Sequence, residues 1–275
     1  MARQGRIHYA WVMLGAVVLV LIAASGLRSV FGVFIIPLEA EFKWDRTSLS
    51  LAAALSLLLY GAVAPLAGRM ADLWGPRTVV AAALALLGIG TLASSFVSQL
   101  WHVYFASGIL MALGAGAAGM STASALAARW FDKRRGLAIG IFGAGMSAGQ
   151  LIVVPLAMWL TLVLGWRRSF LWLGVALFVL ILPVTILVRN DPKDKGLLPY
   201  GASPLLSPGA LPPPSQARVS LTDAVQFPAF WLLAATFFVC GYTSSGLVLT
   251  HLIPHTTHQG FSQMAAAQAL GVMGP

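Results

Sequence analysis

Charged residues are scarce in this sequence. Only 9% of its 275 residues are Asp, Glu, Lys or Arg, while 59% are hydrophobic. A soluble surface needs roughly 25–35% charged residues, so the charges present are too few to cover one. The mean hydropathy of +0.85 agrees with this deficit. A water-soluble enzyme or binding protein is therefore excluded, and the composition indicates a membrane protein.

Cysteine and clustered metal ligands are also scarce. Cys240 is the single cysteine, so no internal disulfide is expected. His251 and His255 have helical ligand spacing, but Pro254 lies between them and no carboxylate follows. The sequence has no phosphate-binding glycine loop of P-loop spacing. We therefore expect no metal, no cofactor and no catalytic site, which leaves a membrane enzyme or sensor as a distant alternative.

Acidic residues are missing from the apolar parts of the chain. All eight fall in predicted loops or at the edges of apolar runs: Glu39, Glu41, Asp45, Asp72, Asp132, Asp191, Asp194 and Asp223. A carrier of organic cations is expected to hold an embedded Asp or Glu, because a low-dielectric cavity penalises an unpaired positive solute. The distribution of acids therefore disfavours a cationic solute.

The hydrophobic residues form long runs. A helix that crosses the ~30 Å hydrocarbon core needs about 20 mostly apolar residues. Seven runs of this kind extend roughly over Tyr9 to Pro37, Ser48 to Met70, Thr78 to Val97, Val103 to Ala128, Leu137 to Leu164, Phe170 to Val188 and Ala229 to Ile253. An eighth begins near Met264 and is too short to cross, so we expect further chain beyond Pro275. The first run is too long for a cleavable signal peptide and is expected to be a permanent span.

Basic residues predict the orientation of the chain. They sit in short clusters between apolar runs, which is typical of a topology signal and not of a nucleic-acid surface. With a cytoplasmic N-terminus, twelve lie on the inner side: Arg3, Arg6, Arg69, Arg77, Arg129, Lys133, Arg134, Arg135, Arg189, Lys193, Lys195 and Arg218. Four lie outside: Lys43, Arg46, Arg167 and Arg168. This excess predicts a multi-pass protein of the cell membrane with a cytoplasmic N-terminus, in contact with lipid and with no nucleic-acid partner.

A proline-rich segment divides the chain. Residues 189–227 contain Asn190-Asp191-Pro192 and then, among Gly and Ser, Pro204, Pro208, Pro212, Pro213 and Pro214, a composition that disfavours a stable buried element. We predict a six-helix transmembrane bundle over 1–188, a cytoplasmic linker over 189–227, and the start of a second bundle over 228–275. This layout is typical of transporters with two six-helix halves.

Span 5 carries a row of small residues at every fourth position. The row consists of Gly136, Gly140, Ala144 and Ala148, and Gly143, Gly145 and Gly149 lie beside it. Helices without bulk on one face approach each other closely in a membrane. The row predicts close packing of span 5 against another helix. This contact is either static or a surface along which the helices slide as a transporter moves.

The loop between spans 2 and 3, residues 68–77, reads GRMADLWGPR. It resembles the loop motif of the major facilitator superfamily. Four positions match: Gly68, Asp72, Gly75 and Arg77. Leu73 and Pro76 stand where that family usually has basic residues. The resemblance implies that Asp72 and neighbouring bases form a latch that holds one gate closed, and the alternative is an ordinary solvated turn.

Further motifs resemble one branch of that superfamily. Residues 129–140 read RWFDKRRGLAIG, residues 165–170 read GWRRSF, and Trp231 precedes HLIP at 251–254. Together they resemble the monocarboxylate and oxalate–formate carriers. The resemblance implies an all-α major facilitator fold, with a complete N-terminal six-helix bundle, span 7 and part of span 8. It also implies alternating access and transport of a small organic carboxylate, with protons or by exchange. The alternative interpretation of the basic residues at 129–140 is that they serve only to orient the chain in the membrane.

Arg28 lies well inside the first apolar run. An arginine at mid-membrane costs at least about 2.5–3.5 kcal/mol unless something compensates. A substrate carboxylate compensates by bidentate hydrogen bonding, which suits a guanidinium. The alternative is that Arg28 extends to the outer headgroups, since Pro37 is only about 14 Å of helix away.

Three further residues are candidates for solute binding. His251, near the outer end of span 7, carries an imidazole, a group that can change its charge near neutral pH or donate to an anion. Its alternative is an interfacial histidine wetted by the loop that also holds His255 and His258. Tyr60 and Gln150 offer neutral hydrogen bonds, but each is equally suited to a helix–helix contact. The alternative function, with the same fold, is a carrier of drugs or other neutral or cationic solutes.

Overall fold

The computed structural model of the protein describes residues 8–202 and 225–273, which form helices joined by short turns. In this part of the chain, six helices are long and apolar enough to cross a membrane. They are α1 Tyr9–Phe42, α2 Arg46–Trp74, α3 Pro76–Ser94, α4 Leu100–Trp130, α5 Arg135–Leu164 and α6 Trp166–Leu187. Each of the first six predicted spans corresponds to one of them, so the predicted all-α membrane fold is confirmed.

The seventh and eighth predicted runs are helical as well. We name residues 228–258 α7; it comprises Pro228–Cys240, a π-helical segment Gly241–Val248 and the segment Leu249–His258. Helix α8 is Gln263–Met273. A short 3-10 turn, Pro192–Lys195, follows α6.

Two of the long helices are interrupted. Helix α1 consists of Tyr9–Ser29 and Phe31–Phe42, which meet at Val30. Helix α4 consists of Leu100–Val103, a π-helical segment Tyr104–Met111, Ala112–Ala117 and Met120–Trp130. At the last interruption, the hydroxyl of Thr122 donates to the carbonyl of Ala117 (2.7 Å), which satisfies one of the backbone groups there. Such irregular segments are frequent at functional sites.

The helices alternate in direction, so their ends form two faces of the molecule. We call the face at the start of α1 the Tyr9 face and the face at its end the Phe42 face. The Tyr9 hydroxyl donates to the carbonyl of Leu187 (2.8 Å), which joins α1 to α6 at the first face. At the second face, Asp45 caps α2 by accepting from Ser48. Those hydrogen bonds from Ser48 hold the pKa of Asp45 below its usual range.

Helices α1 and α5 pack closely, but not along the whole predicted row of small residues. A Cβ added at Gly149 would overlap the carbonyl oxygen of Ile22, and one at Gly145 would lie 3.1 Å from Val18. A Cβ added at Gly136 or Gly140 would meet no atom within 4 Å. Within the described residues, the close approach therefore uses the glycines beside the row, because these face α1.

The beginning of the predicted linker packs on the bundle, which differs from the expectation for 189–227. The amide of Tyr200 donates to the carbonyl of Trp130 (2.8 Å), and its carbonyl accepts from the amide of Asp132 (3.1 Å). Pro192 is buried. These backbone bonds satisfy the polar groups of a segment that composition alone assigns to solvent. Residues 203–224, with the remaining prolines and with Arg218 and Asp223, lie outside the described residues, as do Arg3, Arg6 and Pro275.

Candidate functional site

Arg28 and Tyr60, two of the four predicted solute-binding residues, meet in the bundle. The guanidinium carbon of Arg28 lies 4.2 Å from the centroid of the Tyr60 ring. Arg28 is partly buried and lies two residues before the interruption of α1 at Val30. Among the residues that the structure describes, Arg28 makes no ion pair and no hydrogen bond, so its N–H donors remain available.

A small cavity of about 20 Å³ borders the Arg28 side chain. Its lining consists of Leu27, Arg28, Val30, Phe31, Ser56, Ser107, Met111, Ala112 and Phe170. One cation and two hydroxyl groups thus face a wall that is otherwise apolar and aromatic. Ser107 belongs to the π-helical segment of α4, and its hydroxyl lies 3.0 Å from that of Ser94. The chemistry of this lining matches a small solute with one anionic group and an apolar body. The cavity itself has room for about one water molecule, so a bound solute requires a wider form of it.

His251 lies in a different cavity, a cleft of about 310 Å³ between α2 and α7. The cleft is lined by Ser50, Ala53, Ala54, Leu57, Tyr242, Leu247, Thr250 and His251. Both cavities border α2, but they share no lining residue. The structure therefore places His251 beside the first bundle without bringing it to Arg28.

Gln150 is occupied by a contact between helices. Its side chain is buried, with a relative exposure of 1% for the residue, and its Nε2 donates to the carbonyl of Leu270 (2.7 Å). This hydrogen bond joins α5 to α8, and Gln150 lines neither of the two cavities. Its predicted role in solute binding stays a prediction, while the helix contact is what the structure shows.

The loop motif at residues 68–77 lies on the Tyr9 face. Asp72 accepts from Arg129 (3.4 Å), and Arg129 also lies 3.5 Å from Asp191. The Asp72 side chain is 74% exposed, so this ion pair contributes little to stability by itself. Gly68 has no neighbouring atom within 4 Å of an added Cβ. Arg129 thus links α2, α4 and the segment that follows α6.

Gly75 and Arg77 have a shared partner, Asn190. Gly75 has a φ of 84°, and an added Cβ would overlap the Asn190 side chain. The Asn190 amide oxygen accepts from the backbone N–H of Arg77 (2.9 Å), whose Nε donates to the carbonyl of Thr185 (2.9 Å). The positive φ and the close approach both explain a glycine at position 75. Sequence reasoning missed Asn190, because an Asn-Asp-Pro sequence is typical of a linker.

Metal-ligating side chains are not gathered anywhere in the described ranges 8–202 and 225–273. No group of three or more His, Cys, Asp or Glu side chains is placed there to hold a metal ion.

Comparison with known proteins identifies a family. The sequence pattern of the Major Facilitator Superfamily matches residues 17–274. The chain is 27% identical over 268 residues to monocarboxylate transporter 11 of Homo sapiens, covering 96% of this chain and 53% of that protein. It is 25% identical over 273 residues to the uncharacterised MFS-type transporter YcxA of Bacillus subtilis (strain 168), covering 92% of this chain and 60% of that protein.

A solved structure shows the same fold. The crystal structure of a bacterial homolog of the human lysosomal transporter Spinster, in an inward-facing and occupied conformation, superimposes with a TM-score of 0.73. The identity is 17%, and the match covers 97% of this chain and 58% of that one. The chain thus spans between one half and two thirds of the length of these relatives.

Proposed function

The chain belongs to the major facilitator superfamily, and on that premise we propose that it forms part of a secondary transporter for small organic anions. The solute would be a small organic carboxylate, moved by alternating access with protons or by exchange for another carboxylate. The 27% identity to a monocarboxylate transporter supports this solute class. The observation that carries the proposal is the unpaired guanidinium of Arg28 beside a cavity.

The energetics of Arg28 favour an anionic ligand. An arginine in the middle of a membrane costs at least about 2.5–3.5 kcal/mol. A cation–π contact such as the one with Tyr60 returns roughly 0.5–2 kcal/mol. The guanidinium carbon lies over the Tyr60 ring, and its N–H groups have no hydrogen-bond partner among the described residues, so they can bind a carboxylate by two parallel hydrogen bonds.

The cavity lining supports a single carboxylate with an apolar body. Ser56 and Ser107 offer hydroxyl groups, while Phe31, Met111 and Phe170 supply apolar surface. Acids are absent from the lining, so no carboxylate of the protein competes for Arg28. A second cation is absent from it as well, which favours one anionic group per solute.

Orientation and coupling are also part of the proposal. The excess of Lys and Arg on the Tyr9 face supports a cytoplasmic position for that face in the cell membrane.

His251 borders the cleft between α2 and α7, where the two halves of a transporter of this kind face each other. An imidazole there is suited to carry a proton, so His251 is the candidate for proton coupling.

A carrier of neutral lipophilic solutes is the second candidate, because most of the cavity lining is apolar. The two candidates differ in their need for Arg28. Charge is essential for binding a carboxylate, whereas a neutral solute is held by burial of apolar surface.

The test is equilibrium binding of labelled lactate, pyruvate and oxalate to the purified chain in lipid nanodiscs. Arg28→Gln is expected to weaken binding about tenfold or more, since charge-assisted hydrogen bonds contribute about 1.5–3 kcal/mol. Arg28→Lys should restore part of the affinity, because an ammonium binds a carboxylate without the bidentate geometry. The matched control is Arg69→Gln, which removes an exposed charge of α2. Carboxylate binding that is unchanged in Arg28→Gln would show the proposal to be wrong.

A further inference from the structure

The geometry points to a pH-sensitive latch on the Phe42 face, formed by Glu39, Arg46 and His258. We propose that the latch holds α7 against α1 and α2 while His258 is neutral, and that protonation of His258 opens it. The inference concerns the contact between the two parts of the chain and is independent of which solute binds at Arg28.

Arg46 joins three helices at this face. Its Nε donates to one carboxylate oxygen of Glu39 (2.8 Å) and its Nη2 to the other (3.0 Å). The same Nη2 lies 2.9 Å from the Nε2 of His258. Glu39 belongs to α1, Arg46 begins α2 and His258 ends α7. Arg46 therefore connects the first bundle to the first helix of the next one.

The chemistry of Arg46 determines the protonation state of His258 in this contact. A guanidinium has only donors, so a hydrogen bond between the two side chains requires the Nε2 of His258 to accept. The imidazole is then neutral, with its proton on Nδ1. Protonation places an N–H on Nε2 and a positive charge 2.9 Å from the guanidinium, which removes the hydrogen bond and adds repulsion.

Other charged groups around His258 do not replace this contact. Glu39 binds Arg46 through both of its oxygens, and the described residues show no hydrogen bond between Glu39 and His258. Glu41 accepts from Arg167 (2.7 Å), and Asp45 accepts from Ser48. The remaining titratable groups nearby are Lys43, on the segment that joins α1 to α2, and His255 and His251 on α7 itself. Helix α8, which packs against α7, contains no Asp, Glu, Lys, Arg or His.

The sign of the pH effect follows from these contacts. While the imidazole of His258 is neutral, its hydrogen bond with Arg46 holds the Phe42 face closed. When acid protonates the imidazole, the closed form loses this hydrogen bond and α7 separates from α2. With the Phe42 face outside the cell, acid in the medium would favour opening toward the medium.

The experiment measures the distance across the latch in the full 275-residue chain in nanodiscs. Spin labels are attached at Lys43→Cys and Phe261→Cys, two exposed positions, after Cys240→Ser removes the native thiol. Distance distributions are recorded at about pH 8 and about pH 5, on either side of the imidazole titration. We expect one short distance at the higher pH and a severalfold larger share of long distances at the lower pH.

Three variants test the role of His258. His258→Gln keeps an acceptor that does not titrate, so the short distance should persist at both pH values. His258→Lys carries a permanent charge and should give long distances at both. His255→Gln is the matched control, because His255 lies one helical turn away and contacts Gln259 instead of Arg46, and it should keep the wild-type response. The proposal is overturned if wild type shows no pH response, if His258→Gln retains the response, or if His258→Lys stays closed.

Discussion

The guanidinium of Arg28 on α1 lies over the ring of Tyr60 on α2, with 4.2 Å between the guanidinium carbon and the ring centroid. The contact holds a cation at the wall of an apolar cavity without neutralising it. The backbone of Tyr60 packs closely against α4, because a Cβ added at Gly116 would lie only 2.9 Å from the Tyr60 carbonyl oxygen. Close packing of α4 against α2 thus fixes the position of Tyr60, and Tyr60 in turn positions Arg28.

Tyr60→Leu should weaken carboxylate binding by about three- to thirtyfold, since roughly 0.5–2 kcal/mol of cation–π interaction is lost and the guanidinium becomes less well oriented. Tyr60→Phe keeps the ring and should bind within about twofold of wild type, because the face of the ring supplies most of the attraction. The measurement is the same equilibrium binding assay in nanodiscs. Equal losses in both variants would mean that the hydroxyl, and not the ring, serves the site.

Gly149→Ala should lower the stability of the bundle by about 1–3 kcal/mol, because the added Cβ would overlap the backbone of Ile22 on α1. Gly140→Ala is the control on the same helix, where an added Cβ meets no atom within 4 Å. There the higher helix propensity of alanine should leave stability unchanged or raise it by up to about 1 kcal/mol. Thermal unfolding in detergent, followed by circular dichroism, compares the two. Similar melting temperatures would contradict the close packing of α1 and α5.

Gly75→Ala should destabilise the Tyr9 face by about 1–3 kcal/mol, because a positive φ strains an alanine and its Cβ would displace Asn190. Asn190→Ala should cost about 1–3 kcal/mol as well, through loss of the hydrogen bond to the Arg77 amide. The effects should be less than additive in the double variant, since both act on one contact. Gly68→Ala, at an open position of the same motif, is the control. Additive losses in thermal unfolding would show that Gly75 and Asn190 act separately.

Most of the helices could be predicted from the sequence, because length and apolarity alone select a membrane span. Helix α6 illustrates this: an uninterrupted apolar run between Arg168 and Arg189 has few alternatives in a bilayer. The interruption of α4 at residues 118–119 could not be predicted in the same way, since the run is apolar on both sides of it. Packing of glycines against α2 and α3 accounts for the irregular backbone there.

The residues of the candidate site could be predicted from the sequence, but the contacts between their side chains could not. Arg28 is conspicuous because a cation in an apolar run is costly, and Tyr60 is named as a hydrogen-bonding residue, yet the sequence contains no signal that their side chains meet. Arg46 and Glu39 are counted only as charges at the ends of spans, and His258 only as part of a wetted loop. Their contact is long-range, so it depends on how α7 packs on the first bundle.

The buried hydrogen bond between Gln150 and Leu270 has a mechanical consequence. Breaking it leaves polar groups without water, at a cost of about 1–3 kcal/mol, whereas the exposed groups of Arg46 and His258 are rehydrated at once. Under any force that separates the two parts of the chain, the Phe42 face should therefore yield first while α8 stays attached to α5. The hydrogen bond between Gln150 and Leu270 would then be the fixed point about which α7 moves.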